Sequence, residues 1–190
     1  MQKTQKEIAK RSRSDKKQKK IFPNFNRKAR QEKIEKNKEK ALTSNNLINI
    51  LKGTKNFLGV FASDELSKIR ILSTPAFLIS NLDISSSSGS HWLAIRIGHS
   101  TVEIFDSLGF DKTLWGKFPI GLQKLFSRFH LSHRFRFSPV LQSPDTYDCG
   151  FYCIFFILYR TSHTFSACVS VFSPLLTLNH KILINKLKSI

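Results

Sequence analysis

The chain has 190 residues, and its 31 lysines and arginines against 13 acidic residues give a formal net charge of +18. Residues 1–40 hold 16 of the basic and 5 of the acidic side chains with few apolar ones, so they cannot bury enough surface to offset the loss of chain entropy. The remaining residues are rich in apolar side chains and hold nearly all of the 17 phenylalanines, which is typical of a compact domain. Because no apolar run approaches the roughly 20 residues of a membrane-spanning helix, we expect no membrane partner.

The start of the chain and its cysteines indicate a compartment. The N-terminus is charged and lacks the apolar stretch of a secretory signal. Three cysteines without a regular spacing argue against a disulfide scaffold and favour a reducing environment. We therefore expect an intracellular protein.

The charge pattern predicts a disordered basic tail, residues 1–42, followed by a folded domain, residues 43–190. The tail contains basic runs such as KKQKK at Lys16–Lys20. A solvated tail is one interpretation, and a nuclear-import signal or a contact with nucleic acid is the other. Its Glu- and Lys-rich end, Gln31–Lys40, is compatible with a helix, but it shows no apolar face with which such a helix would dock.

The domain is predicted to be α+β, with short strands among helices. Before the middle of the chain the patterns predict a short helix at Asn46–Leu51, an apolar run at Phe57–Phe61, a short helix capped near Ser63 and stopped by Pro75, and a buried strand at Ala76–Ser80. Later they predict a helix around Leu122–Phe126, a strand at Arg134–Ser138, a buried helix at Phe151–Tyr159 and a final helix at Leu175–Ile190.

Two alternating segments between these elements predict a β-hairpin. Residues alternate between two faces over His91–Ile97 and again over Thr101–Asp106, and the short connection Gly98–Ser100 joins them. In the register that keeps the apolar faces together, Arg96 lies directly opposite Glu103 as a favourable charge pair. A shift by one residue would separate that pair and mix the faces, so the register is well defined.

The same register pairs Ile95 with Ile104 and places a histidine beside a carboxylate. His91 and Asp106 share a face as diagonal neighbours, about 7–8 Å apart at the backbone, so their side chains are close enough to meet. A carboxylate at the end of an apolar face is unusual without a partner. We therefore interpret the two residues as a functional pair.

Cys149 is the candidate nucleophile. It lies at the predicted start of the buried helix, where unpaired backbone N–H groups and the positive end of the helix dipole favour the reactive thiolate. An inert buried cysteine is the alternative, and it is our interpretation of Cys153 and Cys168. Cys149 and Cys153 would need a second pair of ligands to bind zinc. The candidate pair is His130 and His133, and the spacings of these residues are not those of a zinc finger. We therefore expect no metal and no cofactor.

A cysteine and a histidine oriented by a carboxylate form a triad for acyl transfer. In this interpretation Asp106 fixes the tautomer of His91 and leaves the other ring nitrogen facing Cys149. Gln142, seven residues before the cysteine, is a candidate donor to the oxyanion beside the backbone N–H of Cys149. Gly150 would let the backbone pack tightly beside a substrate.

Taken in chain order, these motifs resemble a known clan. The pair His91–Trp92, the segment FDSLGF at Phe105–Phe110, and Gln142 followed by DCGFYC at Asp148–Cys153 resemble the adenain-like cysteine proteases. This clan joins the adenovirus protease, the SUMO and ubiquitin-like proteases and the proteases of Polinton/Maverick transposons. The run Phe57–Phe61 followed by an aspartate is similar to the viral and transposon branch.

The resemblance implies a small mixed central sheet flanked by helices, and it implies site roles that agree with those above. His91 is the base, Asp106 the orienting residue, Gln142 the oxyanion donor and Cys149 the nucleophile. Trp92 lines the cleft beside the base.

The resemblance also implies an endopeptidase that cuts protein or peptide substrates near glycine and processes viral or transposon-encoded proteins, in the nucleus or a virion. One alternative is an isopeptidase that removes SUMO or another ubiquitin-like protein. The other is a nucleic-acid-binding protein with a silent protease fold, in which residues 1–42 bind the nucleic acid.

Overall fold

A computed structural model describes residues 27–37, 40–110 and 116–190. In chain order the elements are α1 (Arg27–Asn37), α2 (Ser44–Leu51), β1 (Phe57–Phe61), a 3₁₀ helix (Ser63–Lys68), β2 (Ala76–Asn81), β3 (Trp92–Ile97), β4 (Thr101–Phe105), α3 (Ile120–Ser127), β5 (Arg134–Phe137), α4 (Cys149–Arg160), α5 (Phe165–Ser170) and α6 (Leu176–Ser189). Within these ranges, no helix combines the length and apolar character needed to cross a bilayer.

The strands form one mixed sheet in the order β1-β2-β3-β4-β5. The outer pairs, β1 with β2 and β4 with β5, are parallel, whereas β2, β3 and β4 run antiparallel to one another. The hairpin of β3 and β4 has the predicted register, with Arg96 opposite Glu103 and Ile95 opposite Ile104. The predicted α+β class, a small mixed sheet flanked by helices, is confirmed.

Helices cover both faces of this sheet because its strands carry apolar side chains on both sides. On one face, Ala94 and Phe105 pack against α4, and the Phe105 ring stacks on Phe156 with their centroids 4.7 Å apart. On the other face, Ile95 and Ile104 belong to a cluster that includes residues of α3 and the 3₁₀ helix. The predicted buried helix α4 is therefore a central core element, and its N-terminus has a defined position relative to the strands.

A buried ion pair fixes the far end of α4. Arg160, in the last turn of the helix, donates two hydrogen bonds to the Glu103 carboxylate at 2.8 and 2.9 Å. The predicted cross-strand partner Arg96 lies 3.5 Å from the same carboxylate. Because a bidentate pair fixes both distance and orientation, the helix is attached to β4 at the end opposite Cys149.

The packed part of the chain begins earlier than the predicted boundary at residues 42 and 43. Helix α1 lies within the predicted tail, and its Ile34 is buried at 1% exposure in the core cluster of α4. Arg30 donates to the carbonyl of Ile50, and Gln31 donates to the carbonyl of Lys188. One apolar side chain, with polar contacts around it, is sufficient to dock this helix, contrary to our expectation that it had no face for docking.

The rest of the predicted tail, residues 1–26 and 38–39, lies outside the described residues. For those residues the interpretations of a solvated tail, an import signal or a nucleic-acid contact remain predictions.

Substitution at Ile34 tests whether α1 is part of the folded protein. Ile34→Ala should lower the free energy of unfolding by about 2 kcal/mol, because it removes buried methyl groups from the core. The exposed Lys36 on the same helix provides the control, and Lys36→Ala should change stability by less than about 0.5 kcal/mol. Urea unfolding measures both. Equal stabilities of the two variants and the wild-type protein would restore the disordered-tail interpretation.

Candidate active site

The His91 ring and the Asp106 carboxylate meet at one end of the sheet. His91 immediately precedes β3 and Asp106 immediately follows β4, so the hairpin register brings them together. The ring Nε2 lies 2.7 Å from Oδ1 of Asp106, and both side chains are buried. The contact predicted from the register is therefore present, and the carboxylate holds the imidazole in one orientation.

Asp106 is held through both its side chain and its backbone. Its Oδ1 also accepts a hydrogen bond from the backbone N–H of Leu108. The Ser138 hydroxyl accepts from the Asp106 N–H at 2.8 Å and donates to the Asp106 carbonyl at 2.6 Å. Gly109 completes the turn with a φ of 84°, which glycine adopts without strain. These contacts explain the FDS-x-G spacing as a rigid support for one carboxylate.

Cys149 is the first residue of α4 and is partly exposed. Its side chain lines the same cleft as the His91 ring and lies near enough to raise the pKa of that ring. Because Asp106 engages Nε2 of that ring, Nδ1 is the ring nitrogen that remains for the thiol. The base and the nucleophile of the predicted site therefore lie in one cleft.

The N-terminus of α4 is not capped by the side chain that precedes it. The Asp148 carboxylate forms a hydrogen bond with Nδ1 of His180 on α6, at 2.9 Å, and makes no bond to the N–H groups of the first turn. Those N–H groups and the helix dipole therefore act on whatever occupies the space beside Cys149. This environment favours negative charge.

The surroundings of His91 favour its protonated form. Burial disfavours the charged ring and lowers its pKa, but the hydrogen bond and charge of Asp106, with a contribution from the nearby Cys149 side chain, outweigh burial and raise the pKa from 6.5 to about 9. The imidazole therefore holds a proton at neutral pH. In that state it is able to donate a proton to a leaving group.

Gln142 lies in the same cleft as Cys149 and is 3% exposed. Its Nε2 donates to the carbonyl of Thr146 at 2.7 Å, and its Oε1 accepts from the hydroxyl of Ser107 at 2.7 Å. The amide is therefore bound at both ends and cannot rotate freely. The structure brings the fourth predicted residue to the site in a fixed orientation.

The cleft beside Cys149 has a volume of about 480 Å³. Its walls come from three stretches, residues 41–44, residues 84–92 and residues 142–149, together with Ala62, Asn81 and Leu108. Trp92 lines it as predicted, and its Nε1 donates to the carbonyl of Leu42 at 2.9 Å. In the described part of the chain, the lining residues include no lysine, arginine, aspartate or glutamate.

Gly150 is packed closely against its own chain. It is buried, and a Cβ at this position would lie 2.9 Å from Cβ of Leu42. The glycine is needed because the segment before α2 crosses the helix N-terminus at close range. Its expected place beside a substrate stays a prediction.

The other cysteines have the properties of core residues. Burial raises the pKa of Cys153, and the electrostatic interactions with Cys149 and Asp106 raise it further. Burial likewise raises the pKa of Cys168 to about 12. Both thiols are therefore neutral at physiological pH. Across the described ranges, histidines, cysteines and acidic residues form no group of three suited to a metal ion.

Sequence reasoning missed the residues that support the site. Leu42 falls in the predicted tail, yet it contacts both Trp92 and Gly150. Ser107 lies in the FDSLGF motif without a predicted role, and Ser138 is the last residue of a predicted strand. Their shared signal is weak, because a small polar residue next to a strand end has no spacing that distinguishes it from a loop residue.

Removing the charge of Asp106 tests the cause of the His91 titration. In Asp106→Asn the pKa of His91 should fall from about 9 to 6.5 or below, because burial still disfavours the charged ring while the carboxylate that stabilised it is gone. The wild-type pairing contributes stability that is fully present below pH 6.5 and is lost as the pH rises through about 9, and the variant should lack most of this dependence. Ring C–H signals followed by NMR against pH give the pKa, with the His91 signal assigned by its absence in His91→Ala.

The exposed carboxylate of Asp145 provides a matched control. Asp145→Asn should leave the His91 titration near pH 9, since no hydrogen bond connects these side chains in the described structure. An unchanged titration in Asp106→Asn would show that Asp106 does not set the protonation of this ring.

Comparisons with known proteins identify the family of the chain. The family model described as adenovirus endoprotease matches residues 57–189. Among solved structures, the chain is similar to the SUMO protease Ulp1 with its catalytic cysteine oxidised to a sulfonic acid, at 20% identity and a TM-score of 0.39 over 79% of each chain. A search of the curated proteins finds no match. Because the family model covers more than half of its length, the chain belongs to the adenovirus endoprotease family and is a cysteine peptidase.

Proposed function

We propose that the protein is a thiol endopeptidase with Cys149 as its nucleophile and His91 as its general base. Asp106 orients the imidazole, and the Gln142 amide together with the backbone N–H of Cys149 stabilises the oxyanion. The observation that carries the proposal is the position of His91, whose ring is bonded to Asp106 at 2.7 Å and lines the same cleft as Cys149.

The acylation step starts from this arrangement. Because His91 already holds a proton at neutral pH, the nucleophile is the Cys149 thiolate paired with the imidazolium, and it attacks the carbonyl carbon of the scissile bond. The carbonyl electrons move to oxygen, which faces the Gln142 amide and the first N–H of α4. When the intermediate collapses, the C–N bond breaks, the imidazolium gives its proton to the leaving amine, and a thioester remains on Cys149.

The same groups carry out deacylation, in which His91 first accepts a proton. His91, now neutral, takes a proton from a water molecule as that water attacks the thioester carbon. The C–S bond breaks, the product leaves with a new carboxyl group, and the proton on His91 is available to the thiolate. Asp106 keeps the ring in one orientation through both steps.

The walls of the cleft support the proposed substrate class. The lining residues in the described part of the chain carry no lysine, arginine or carboxylate, so an uncharged segment enters at the lowest desolvation cost. Trp92 lines the cleft beside His91, and the resemblance to the adenain-like proteases, which prefer glycine next to the scissile bond, favours glycine there in the substrate. We propose that the substrates are viral or transposon-encoded proteins cut next to glycine.

Removal of the thiol tests the nucleophile. Cys149→Ala should abolish cleavage of glycine-containing peptides, a loss of at least about 10⁴-fold in kcat, because no other group on the site replaces the sulfur. Cys153→Ala, one turn later on the same helix, should keep the activity. Product formation followed by mass spectrometry measures both. Cleavage by Cys149→Ala at the wild-type rate would overturn the proposal.

A reactive ubiquitin-like protein separates the endopeptidase from an isopeptidase. A SUMO probe that ends in Gly-Gly and an electrophile should leave Cys149 unmodified, whereas an electrophilic glycine-containing peptide should label it. Efficient capture of the SUMO probe by Cys149 would favour a deconjugating enzyme in place of the proposed endopeptidase.

A further inference from the structure

Ser107, which has no role in the mechanism above, is in contact with the Gln142 amide. It directly follows Asp106, its side chain is 1% exposed, and its hydroxyl lies 2.7 Å from Oε1 of Gln142. A buried hydroxyl without a partner is costly, so this bond is a strong constraint on both groups.

The hydrogen-bond chemistry determines which end of the amide faces which partner. A backbone carbonyl only accepts, so the amide atom 2.7 Å from the Thr146 carbonyl is the nitrogen, Nε2. The opposite atom is then Oε1, and the Ser107 hydroxyl is its donor. A flipped amide would place two carbonyl oxygens against each other, so Ser107 and Thr146 together select one orientation.

This orientation leaves one hydrogen of the amide available. Nε2 has two N–H bonds, and one of them is used by Thr146. The second has no acceptor among the described residues, and Gln142 lines the cleft together with Cys149. An amide held in this way has a donor in place before the substrate arrives, which is the condition for effective oxyanion stabilisation.

Ser107 also fixes the backbone that carries Gln142. Its carbonyl accepts hydrogen bonds from the backbone N–H groups of Leu141 and Gln142, both at 2.8 Å. The Leu141 carbonyl in turn accepts from the Tyr152 hydroxyl of α4 and from Asn179 of α6, both at 2.9 Å. The peptide that precedes the amide is therefore fixed from both sides.

We propose that Ser107 is a positioning residue, whose hydroxyl keeps Nε2 of Gln142 directed at the oxyanion site. The inference rests on the proposed function of Cys149 and Gln142. Two consecutive residues then serve two different groups of the site, since Asp106 orients the base and Ser107 orients the oxyanion donor.

A double-mutant cycle tests this role. Gln142→Ala should reduce kcat by about 10²–10³-fold, the usual loss of one oxyanion donor. Ser107→Ala should reduce kcat about tenfold with little change in KM, because the amide keeps one of its two anchors. The double variant should be no slower than Gln142→Ala alone, since the hydroxyl acts through the amide.

Ser138 offers a matched control, because it is an equally buried serine that supports Asp106 instead. Ser138→Ala should reduce kcat by the same factor with or without the Gln142 amide. The His91 titration should stay near pH 9 in Ser107→Ala, which separates the role of Ser107 from that of its neighbour.

The outcomes test the positioning role of Ser107 separately from the proposed peptidase function. If Ser107→Ala slows the Gln142→Ala enzyme about tenfold as well, the hydroxyl does not act through the amide and the inference fails, while the function stands. If Cys149→Ala remains active, the proposed function itself fails.

NMR of the wild-type protein gives a test that needs no stable Ser107 variant. The Gln142 side-chain amide, assigned by its absence in Gln142→Ala, should show two distinct hydrogens with one protected from solvent exchange. Rapid exchange of both hydrogens would contradict a held amide.

Discussion

The hydrogen bond between the His91 ring and the Asp106 carboxylate is the contact on which the site depends. It engages Nε2 of the ring at 2.7 Å and thereby leaves the other nitrogen for the Cys149 thiol. The bond is buried, so the attraction is not screened by water and outweighs the cost of burying a charged ring. Without it, burial would favour a neutral imidazole with no fixed orientation.

The fold provides this contact through the register of one hairpin and the start of one helix. β3 and β4 place the two residues at adjacent strand ends, and α4 brings its first residue to them. The position of α4 is fixed by its apolar packing on the sheet and by the pair of Arg160 with Glu103 at its other end. Secondary structure far from the cleft therefore determines the geometry at Cys149.

The parts predicted from sequence are those in which local pattern determines three-dimensional position. The alternation and the charge pair of Arg96 with Glu103 were enough to define the hairpin register, and the register alone predicted that His91 meets Asp106. The long apolar run likewise predicted a buried helix. The roles of the four site residues were assigned from chemistry and resemblance, and they remain proposals.

What sequence could not provide are contacts between distant segments. Ile34 is a single apolar residue in a charged helix, and its burial depends on surfaces that form only when α4 and α6 are folded. Leu42 explains Gly150, but no spacing connects two residues more than 100 positions apart. Helix α5 is short and stabilised by a Thr164 cap, so it leaves no periodic signal. The contact of Ser107 could not be predicted from sequence for the same reason, because its partner Gln142 lies 35 residues later.

The central claim is that the imidazole, the thiol and the amide converge on one carbonyl group. The most direct measurement is a crystal structure of the protein after reaction with a glycine-containing peptide aldehyde. The account predicts a covalent bond from the Cys149 sulfur to the aldehyde carbon, with its oxygen about 3 Å from both Nε2 of Gln142 and the backbone nitrogen of Cys149. A peptide attached elsewhere, or a hemithioacetal oxygen directed away from Gln142, would contradict it.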